Sequence, residues 1–359
     1  MYNIVSVLMQ GVIHIYKNFP KLTLAILVIL GTVAFSLGGV YFYSLSLLEP
    51  VVKGQAEPVS IEIPGGSSTV SVGRILEKQG LIKNALAFRL YVRYVGEDGS
   101  ILAGEYRLSP GMSVPEILEK LTSGEVVTYS FTIPEGYNVR QITDLLAEKG
   151  YVDRDKFMEV VKREQFDYEF LQGIPQGERR LEGYLFPATY RIMKGTPEQE
   201  IVDMMLKRFE QEITPAYREK ARVLGLNLHQ AVTLASIIER ETMKDAERPV
   251  VAAVLLNRMR KGMKLETDAT VQYALGVNKE RLLYKDLKVD SPYNTYKIQG
   301  LPPGPIASPG RPSLQAAVNP APVDYLYYVV SRDGEHVFSK TFEEHSRNKR
   351  KYLARFKTP

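Results

Sequence analysis

Two glutamates near the end of an apolar segment are the residues of this sequence best suited to acid–base chemistry. Residues 234–242 read LASIIERET, an apolar run that ends in Glu239, Arg240 and Glu241. On a helical wheel of about 100° per residue, Arg240 points away from the apolar face and the two glutamates flank that face on either side. A carboxyl group beside an apolar wall is partly desolvated, so its pKa rises and it can serve as a general acid near neutral pH. The wheel does not choose between Glu239 and Glu241, and both could instead be solvated residues at the end of an amphipathic helix.

Two further carboxylates could take part in the same chemistry. Asp268 lies in the string TDAT, residues 267–270, after a predicted helix that ends at Gly262. It could cap the next helix, or it could line a cleft and bind sugar hydroxyls. A second carboxylate near a glutamate suits a glycosidase that uses two. Glu182 could be another cleft carboxylate or a loop residue that accepts hydrogen bonds, and the sequence does not separate these roles.

A proline-rich segment supplies groups that suit the recognition of a sugar. Residues 291–312 read SPYNTYKIQGLPPGPIASPGRP, with six prolines and three glycines in 22 residues. Prolines fix φ and reduce the entropy lost on ordering, so we predict a stiff loop and not a floppy linker. Tyr293, Asn294 and Tyr296 contribute one amide and two aromatic faces that could pack against sugar rings. Structural packing inside a long loop is the alternative for all three.

The chain that carries these residues begins with a predicted membrane span. Between Lys21 and Glu49 the sequence has no charged residue, which leaves 27 residues, 22–48, rich in apolar types. A helix of that length reaches about 40 Å, enough to cross a hydrocarbon core of about 30 Å with tilt. The run is longer than the apolar part of a signal peptide and no A-x-A site follows it, so we favour an uncleaved anchor. Because Lys17 and Lys21 precede the span, the positive-inside rule places residues 1–21 in the cytoplasm and the rest of the chain outside.

Three stretches after the span share a strand–turn–helix pattern. Each has a short alternating apolar segment, a Pro/Gly turn, a small polar residue and then an amphipathic helix. The pattern is common, but it is also similar to a LysM-like fold, a small α+β module that binds extended glycans. We therefore predict a linker over 49–56 and a LysM-like domain over 57–130. The three stretches are residues 61–82, 106–125 and 131–152.

Capping-box spacings predict where three of the helices begin. In such a box, a polar side chain accepts the backbone N–H three residues later, and the residue found there bonds back to the first N–H. The last of the three boxes opens the helix that carries Glu239 and Glu241. The pairs are Ser113 with Glu116, Asn138 with Gln141, and Asn227 with Gln230.

Composition excludes several kinds of chemistry. The chain has 359 residues, enough for two or three domains, and a net charge of +5, which is too small for a dedicated nucleic-acid binder. It has no cysteine, which excludes disulfides, a thiol nucleophile and thiolate metal sites. The histidines lack the spacing of a catalytic zinc site, and we expect His336 and His345 to be hydrogen-bonded rather than catalytic. No metal or cofactor is implied. The four histidines are His14, His229, His336 and His345.

The string around the two glutamates resembles a known one. IIERET, residues 237–242, is similar to the I-I-x-R-E-S string of goose-type lysozymes and lytic transglycosylases, whose catalytic glutamate precedes the serine or threonine. That register selects Glu241 and not Glu239. Nearly the whole chain resembles the YceG-like family of membrane-bound endolytic murein transglycosylases. The matching strings are LEGYLFPATY (181–190), LASIIERET (234–242), LNRMRKGMKLETDATVQYALG (256–276), SPYNTYKIQGLPPGPIASPG (291–310), AAVNPA (316–321) and YLYYVVSRDGEHVFSKTFEEH (325–345).

The resemblance implies an α+β fold, with the LysM-like domain ahead of a lysozyme-related catalytic domain over 131–359. It implies cleavage of the MurNAc–GlcNAc bond within nascent peptidoglycan strands, leaving 1,6-anhydroMurNAc ends and terminating glycan polymerisation. Lytic transglycosylases need one carboxylate. Glu241 would protonate the leaving oxygen and then, as a base, assist the muramyl C6 hydroxyl in attacking C1. The residues that would bind the substrate are Glu182, Asp268, Tyr293, Asn294 and Tyr296.

The implied protein is single-pass in the inner membrane, with its catalytic domain outside the cytoplasm. Its partners would be the glycan strands, the membrane and, on the resemblance alone, cell-wall synthases, with no role for nucleic acid. Two other classes of function stay open. A lysozyme-type hydrolase would use water, with Asp268 or Glu182 as the base, and would leave a reducing end. In a non-catalytic, membrane-anchored glycan-binding scaffold, Glu241 would be dispensable.

Overall fold

The chain forms two units with dense internal contacts, the first ending at Thr128 and the second beginning at Tyr129. Both units mix helices and strands, which confirms the predicted α+β class at this level. The predicted tail, 1–21, and the first three residues of the predicted span lie outside the described residues. The computed structural model describes residues 25–174, 177–277, 279, 282–331 and 334–353.

Helix α1, Ala25–Ser46, is the described part of the predicted span. Its 22 residues extend for about 33 Å, which matches a hydrocarbon core of about 30 Å. Its large apolar side chains are exposed, with Phe35 85% accessible. By length and composition, α1 is able to cross a membrane.

The first unit continues with a two-stranded antiparallel sheet and three helices. Strand β1 pairs with β2 in a register that joins Val59 to Leu108 and Ile63 to Gly104. Alternation along the strands turns Ile61 and Tyr106 into the core, where the three helices cover them. The elements are β1 (Val59–Ile63), α2 (Thr69–Lys78), α3 (Ala85–Val95), β2 (Gly104–Leu108) and α4 (Val114–Ser123).

The second unit is mainly helical, with two small sheets. Strand β3 pairs with β4, and β5 pairs with β6 in antiparallel register from Tyr327 opposite Ser339 to Val330 opposite His336. Short 3-10 helices cover Glu169–Leu171, Asp245–Glu247 and Asp286–Lys288. The longer elements are β3 (Thr128–Thr132), α5 (Val139–Glu148), α6 (Arg154–Arg163), β4 (Thr189–Met193), α7 (Glu198–Glu212), α8 (Pro215–Val223), α9 (Leu228–Glu241), α10 (Arg248–Arg260), α11 (Asp268–Leu275), α12 (Arg311–Val318), β5 (Tyr327–Val330), β6 (His336–Ser339) and α13 (Phe342–Leu353).

The three predicted capping boxes are confirmed. In each, the N-cap side chain accepts the backbone N–H of the third helical residue, and the side chain of that residue accepts the N-cap N–H. Both orphan donors are thereby satisfied at the start of the helix. The boxes begin α4 at Ser113, α5 at Asn138 and α9 at Asn227.

Helix α9 is the central element of the second unit. Every residue from Ala231 to Ile238 is buried, and α10, α11 and α12 pack around the helix. The helix ends at Glu241, because Thr242 adopts an extended backbone conformation. The last turn therefore brings its glutamates to the edge of a fully packed core, where the partners of each carboxylate are set by neighbouring elements.

Candidate active site

The Glu241 carboxylate is held at both oxygens. The backbone N–H of Ala269 donates to Oε1 at 3.3 Å, and the Tyr328 hydroxyl donates to Oε2 at 3.0 Å. Ala269 is the second residue of α11, so its N–H belongs to the first turn, where helical N–H groups have no partner within the helix. The carboxylate at the end of α9 thus accepts an N–H from the start of α11. Tyr328 on β5 contacts the same carboxylate.

Burial dominates the electrostatics of this carboxyl group. Loss of solvent raises the pKa of Glu241 above its ordinary value, and the neighbouring Asp268 charge raises it further. The hydrogen bonds from Ala269 and Tyr328, and a favourable interaction with His336, lower the pKa and offset part of this rise. The net direction is upward, which keeps a proton available at higher pH than an exposed glutamate would.

Asp268 and Tyr296 lie beside Glu241. The Tyr296 hydroxyl donates to Oδ1 of Asp268 at 2.6 Å, and burial together with the Asp268 and Glu241 charges raises the pKa of Tyr296. Asp268 is exposed and is the first residue of α11, while the N-cap position is taken by Thr267. Two of the five predicted binding residues are therefore brought to the glutamate, on its solvent side.

Glu239 faces a different set of partners. Its Oε2 accepts the backbone N–H of Gly310 at 2.9 Å and lies 3.3 Å from the Arg248 guanidinium, with both side chains 6% exposed. A Cβ at Gly310 would meet the carboxylate of Glu135, which would have to move aside. The Glu239 carboxylate thus links the end of the proline-rich loop to α9. Its hydrogen bond and its ion pair are both made to groups of the protein itself.

Glu182 forms a buried junction between two helices. Its Oε1 accepts the backbone N–H of Val139, the first residue of α5, and its Oε2 accepts the Tyr273 hydroxyl of α11, both at 2.9 Å. Burial raises the pKa of Glu182 to about 7. The carboxyl lines a cavity of about 290 Å³ that Arg140 and Arg179 also line.

Tyr293 and Asn294 pack inside the protein. The Tyr293 ring is 7% exposed and lies 4.9 Å from the Tyr273 ring, with the Arg179 guanidinium 4.8 Å from its centre. Asn294 is fully buried, and its amide nitrogen donates to the carbonyls of Leu287 and Val289 at 2.9 and 2.8 Å. The Asn294 amide is thus bonded to the backbone of its own segment.

Comparison with known proteins assigns the chain to a family. Residues 61–351 match the YceG-like family. The chain belongs to this family. A Bacillus subtilis (strain 168) protein named endolytic murein transglycosylase is 39% identical over 330 residues, which cover 89% of this chain and 91% of the relative. One of the same name from Streptococcus pneumoniae (strain D39) is 32% identical over 336 residues, 86% of this chain and 61% of that longer protein.

A solved structure is also similar to this YceG-like chain. It is the crystal structure of a protein described as yceG-like from Listeria monocytogenes, with 38% identity and a TM-score of 0.54. The likeness covers 82% of this chain and all of the Listeria chain. The resemblance read from the sequence strings is thereby confirmed for the family, while the roles of single residues stay predictions.

Tyr328 and Ala269 are members of the site that the sequence did not reveal. Tyr328 lies 87 residues after Glu241, in a run of aromatic and apolar residues that gives no sign of a contact with it. His336 supports it from the next strand. The His336 ring meets the Tyr328 ring edge-on at 5.0 Å and 88°, and its Nδ1 lies 2.6 Å from Oε2 of Glu247. The predicted hydrogen-bonded character of His336 is confirmed.

This YceG-like site has the parts of a proton-transfer site. A protonated Glu241 can donate its proton from one oxygen. The Tyr328 hydroxyl can both donate and accept, so it can rotate when the protonation state of Glu241 changes. The N–H of Ala269 stabilises the ionised form that follows. Because the half-buried carboxyl is held at both oxygens, it keeps one orientation in both protonation states, as a group that first gives and then takes a proton requires.

Proposed function

We propose that this YceG-like protein is an endolytic murein transglycosylase, a lyase that cuts the glycan strands of peptidoglycan. Two relatives that carry this name are 39% and 32% identical to the chain over most of its length. The observation that supports the chemistry is the Glu241 carboxyl, half-buried at the end of α9 with a raised pKa and with both oxygens held. A single carboxyl in this state is sufficient for the reaction.

Glu241 acts first as the acid and then as the base. It transfers its proton to the glycosidic oxygen between MurNAc and GlcNAc as the bond from C1 to that oxygen breaks. The Glu241 carboxylate then takes the proton of the muramyl C6 hydroxyl while O6 attacks C1. The new bond from C1 to O6 leaves a 1,6-anhydroMurNAc end, and the glutamate regains its proton. The nucleophile belongs to the substrate, so its proximity supplies much of the rate.

Asp268 and Tyr296 act on the sugar at the solvent side of the acid. An ionised Asp268 stabilises positive charge that develops at C1 in an oxocarbenium-like transition state. Tyr296 fixes that carboxylate through its 2.6 Å hydrogen bond and offers an aromatic edge to the substrate. Tyr293 and Asn294 act indirectly, because their packing gives the loop that carries Tyr296 its shape.

We propose the same domain arrangement that the sequence predicts. Helix α1 is a single-pass anchor in the inner membrane, residues 57–130 form a LysM-like glycan-binding domain, and residues 131–359 form the catalytic domain outside the cytoplasm. Cutting within nascent strands would end their polymerisation. A contact with cell-wall synthases is inferred from the family resemblance alone.

A lysozyme-type hydrolase is the second candidate function. It is favoured by the position of Asp268, whose charge acts on Glu241 and whose side chain is exposed to solvent, where a water molecule could be activated. Mass spectrometry of muropeptides released from purified sacculi separates the two functions. Products with 1,6-anhydroMurNAc ends support the transglycosylase, whereas products heavier by one water molecule, with reducing ends, identify a hydrolase.

A further inference from the structure

Helix α3 carries an apolar stripe that the other described residues of the first unit leave exposed. Leu86, Leu90 and Tyr94 are 60%, 59% and 87% accessible. Their spacing of four residues places them along one face of the helix. The opposite face is packed into the core through Phe88 and Val92, both fully buried. The stripe is therefore a surface of α3 and not a loosely packed part of the core.

Two arginines share the exposed face. On a helical wheel of about 100° per residue, Arg93 lies about 20° from Leu86 on the side away from Leu90, and Arg89 lies about 40° further round. Within the described part of the chain, neither guanidinium has a hydrogen-bonding or charged partner. Arginine side chains lay their apolar stems along such surfaces and direct the guanidinium towards phosphate. Apolar and cationic groups on one helix face are the combination that binds to the headgroup region of a bilayer.

The start of α3 is tied to the end of α1. Lys83 Nζ donates to the carbonyl of Ser46, the last residue of α1, at 2.7 Å and lies 3.7 Å from the Glu49 carboxylate. Helix α3 begins two residues later, at Ala85. The exit of the chain from α1 is thus held directly beside the first turn of α3.

This junction places the start of α3 at the depth of the headgroups. The headgroup region on each side of the hydrocarbon core is about 5–8 Å thick, and the 11 residues of α3 extend for about 16 Å. With α1 spanning the core, Ser46 marks its outer boundary. The first turn of α3 then lies near the lipid surface, and no part of α3 is further from it than the helix length of about 16 Å.

We propose that α3 docks on the outer surface of the membrane, with Leu86, Leu90 and Tyr94 inserted at the interface and Arg89 and Arg93 bound to phospholipid phosphates. A second copy of the chain is a poorer occupant, because a symmetric contact through this face would gather the Arg89 and Arg93 side chains of both copies, four like charges, in one interface. Docking would fix the first unit against the bilayer in one orientation. The proposal rests on the proposed anchor and is independent of the glycan chemistry.

Site-directed spin labelling of the full chain tests this docking. The sequence has no cysteine, so one introduced cysteine carries the only label. The variants are Leu86→Cys, Leu90→Cys and Tyr94→Cys, reconstituted in vesicles of phosphatidylethanolamine and phosphatidylglycerol. Arg74→Cys, at an exposed site on α2, is the matched control, and Val33→Cys reports on the middle of α1. Each label is assayed for collisions with oxygen, which partitions into lipid, and with a water-soluble nickel chelate.

The proposal predicts a severalfold higher ratio of oxygen to nickel accessibility at the three stripe positions than at position 74. Stripe labels as exposed to nickel as the position 74 label would overturn it. Dipolar broadening at the stripe that disappears on dilution with unlabelled protein would also overturn it, by identifying a second copy as the occupant. A water-exposed label at position 33 would reject the anchor itself, without bearing on the transglycosylase chemistry.

Discussion

The Tyr328 hydroxyl donates to Oε2 of Glu241 at 3.0 Å, which joins the C-terminal sheet to the end of the central helix. Tyr328 is itself fixed by the His336 ring at 5.0 Å, and His336 is held by Glu247. This connection gives the carboxyl one orientation and stabilises its ionised form. Tyr328 is thus a positioning residue whose effect should be visible in the pH dependence of the reaction.

Replacing Tyr328 by phenylalanine should lower the rate and shift its pH profile. A hydrogen bond to a charged group contributes about 1.5–3 kcal/mol, so kcat/KM should fall about 10- to 100-fold. The lost bond favoured the ionised carboxylate, so the pKa of Glu241 should rise, and the alkaline limb should move to higher pH. Tyr327→Phe, one residue away on β5, is the control. A reduced rate with an unshifted profile would mean that Tyr328 only supports the fold.

Glu182 should make the protein less stable as the pH rises. Its folded pKa is about 7 against an ordinary value of 4.5, so the folded state holds a proton that the unfolded state has released. The stabilising effect of this protonation is fully present below pH 4.5 and is lost as the pH rises through about 7. The difference corresponds to roughly 3 kcal/mol in the free energy of unfolding.

Chemical denaturation of Glu182→Gln at several pH values measures this effect. Glutamine cannot ionise, so the decline in stability between pH 5 and pH 8 should be smaller in the variant than in the unmodified protein, and the decline that remains comes from other groups with a raised pKa, such as Glu241. Glu210→Gln, at an exposed site on α7, should keep the decline. An identical slope in all three proteins would show that Glu182 does not carry a proton in the folded state.

Local sequence signals were sufficient for the helices that present the site. The capping boxes at Asn138 and Asn227 fixed two helix starts, and the apolar run to Ile238 indicated a buried α9. These features depend on contacts within three or four residues. The choice of Glu241 over Glu239 needed the family string, because both carboxylates flank the same apolar face.

Contacts between distant segments could not be predicted from spacing. The partners of Glu241 lie 28 and 87 residues further along the chain, and no local pattern signals that they meet at one carboxylate. Asn294 illustrates the opposite difficulty. An amide that suits a sugar hydroxyl equally suits two backbone carbonyls, and the structure uses it for those. Residue type alone does not separate these two uses.

The orientation of the anchor can be tested with protease on intact spheroplasts. Lys17 and Lys21 favour a cytoplasmic N-terminus, so the region after residue 49 should be digested from outside. Spheroplasts opened before digestion provide the control for protease access. Survival of the region after residue 49 in intact spheroplasts, with digestion after opening, would reverse the topology.

Deleting residues 57–127, which leaves strand β3 of the second unit intact, should weaken binding to purified sacculi without changing the kind of product. The predicted LysM-like domain contributes glycan contacts outside the catalytic domain, so its loss should reduce affinity. Binding is best compared in the Glu241→Gln background, where the strands are not expected to be cut during the assay. Equal affinity with and without the domain would show that the domain acts only as a spacer and does not contribute to glycan binding.

The most direct test of the assignment of Glu241 compares Glu241→Gln with Glu239→Gln. Muropeptide release should be measured at equal concentrations of folded protein, because Glu239 pairs with the buried Arg248 and its loss should lower stability. General acid–base catalysis contributes about 10²–10⁴ in rate, and one group serves both steps here, so Glu241→Gln should lose activity at the upper end of that range. Glu239→Gln should keep most of its activity per folded molecule. An inactive Glu239→Gln beside an active Glu241→Gln would contradict the account and assign the acid to Glu239.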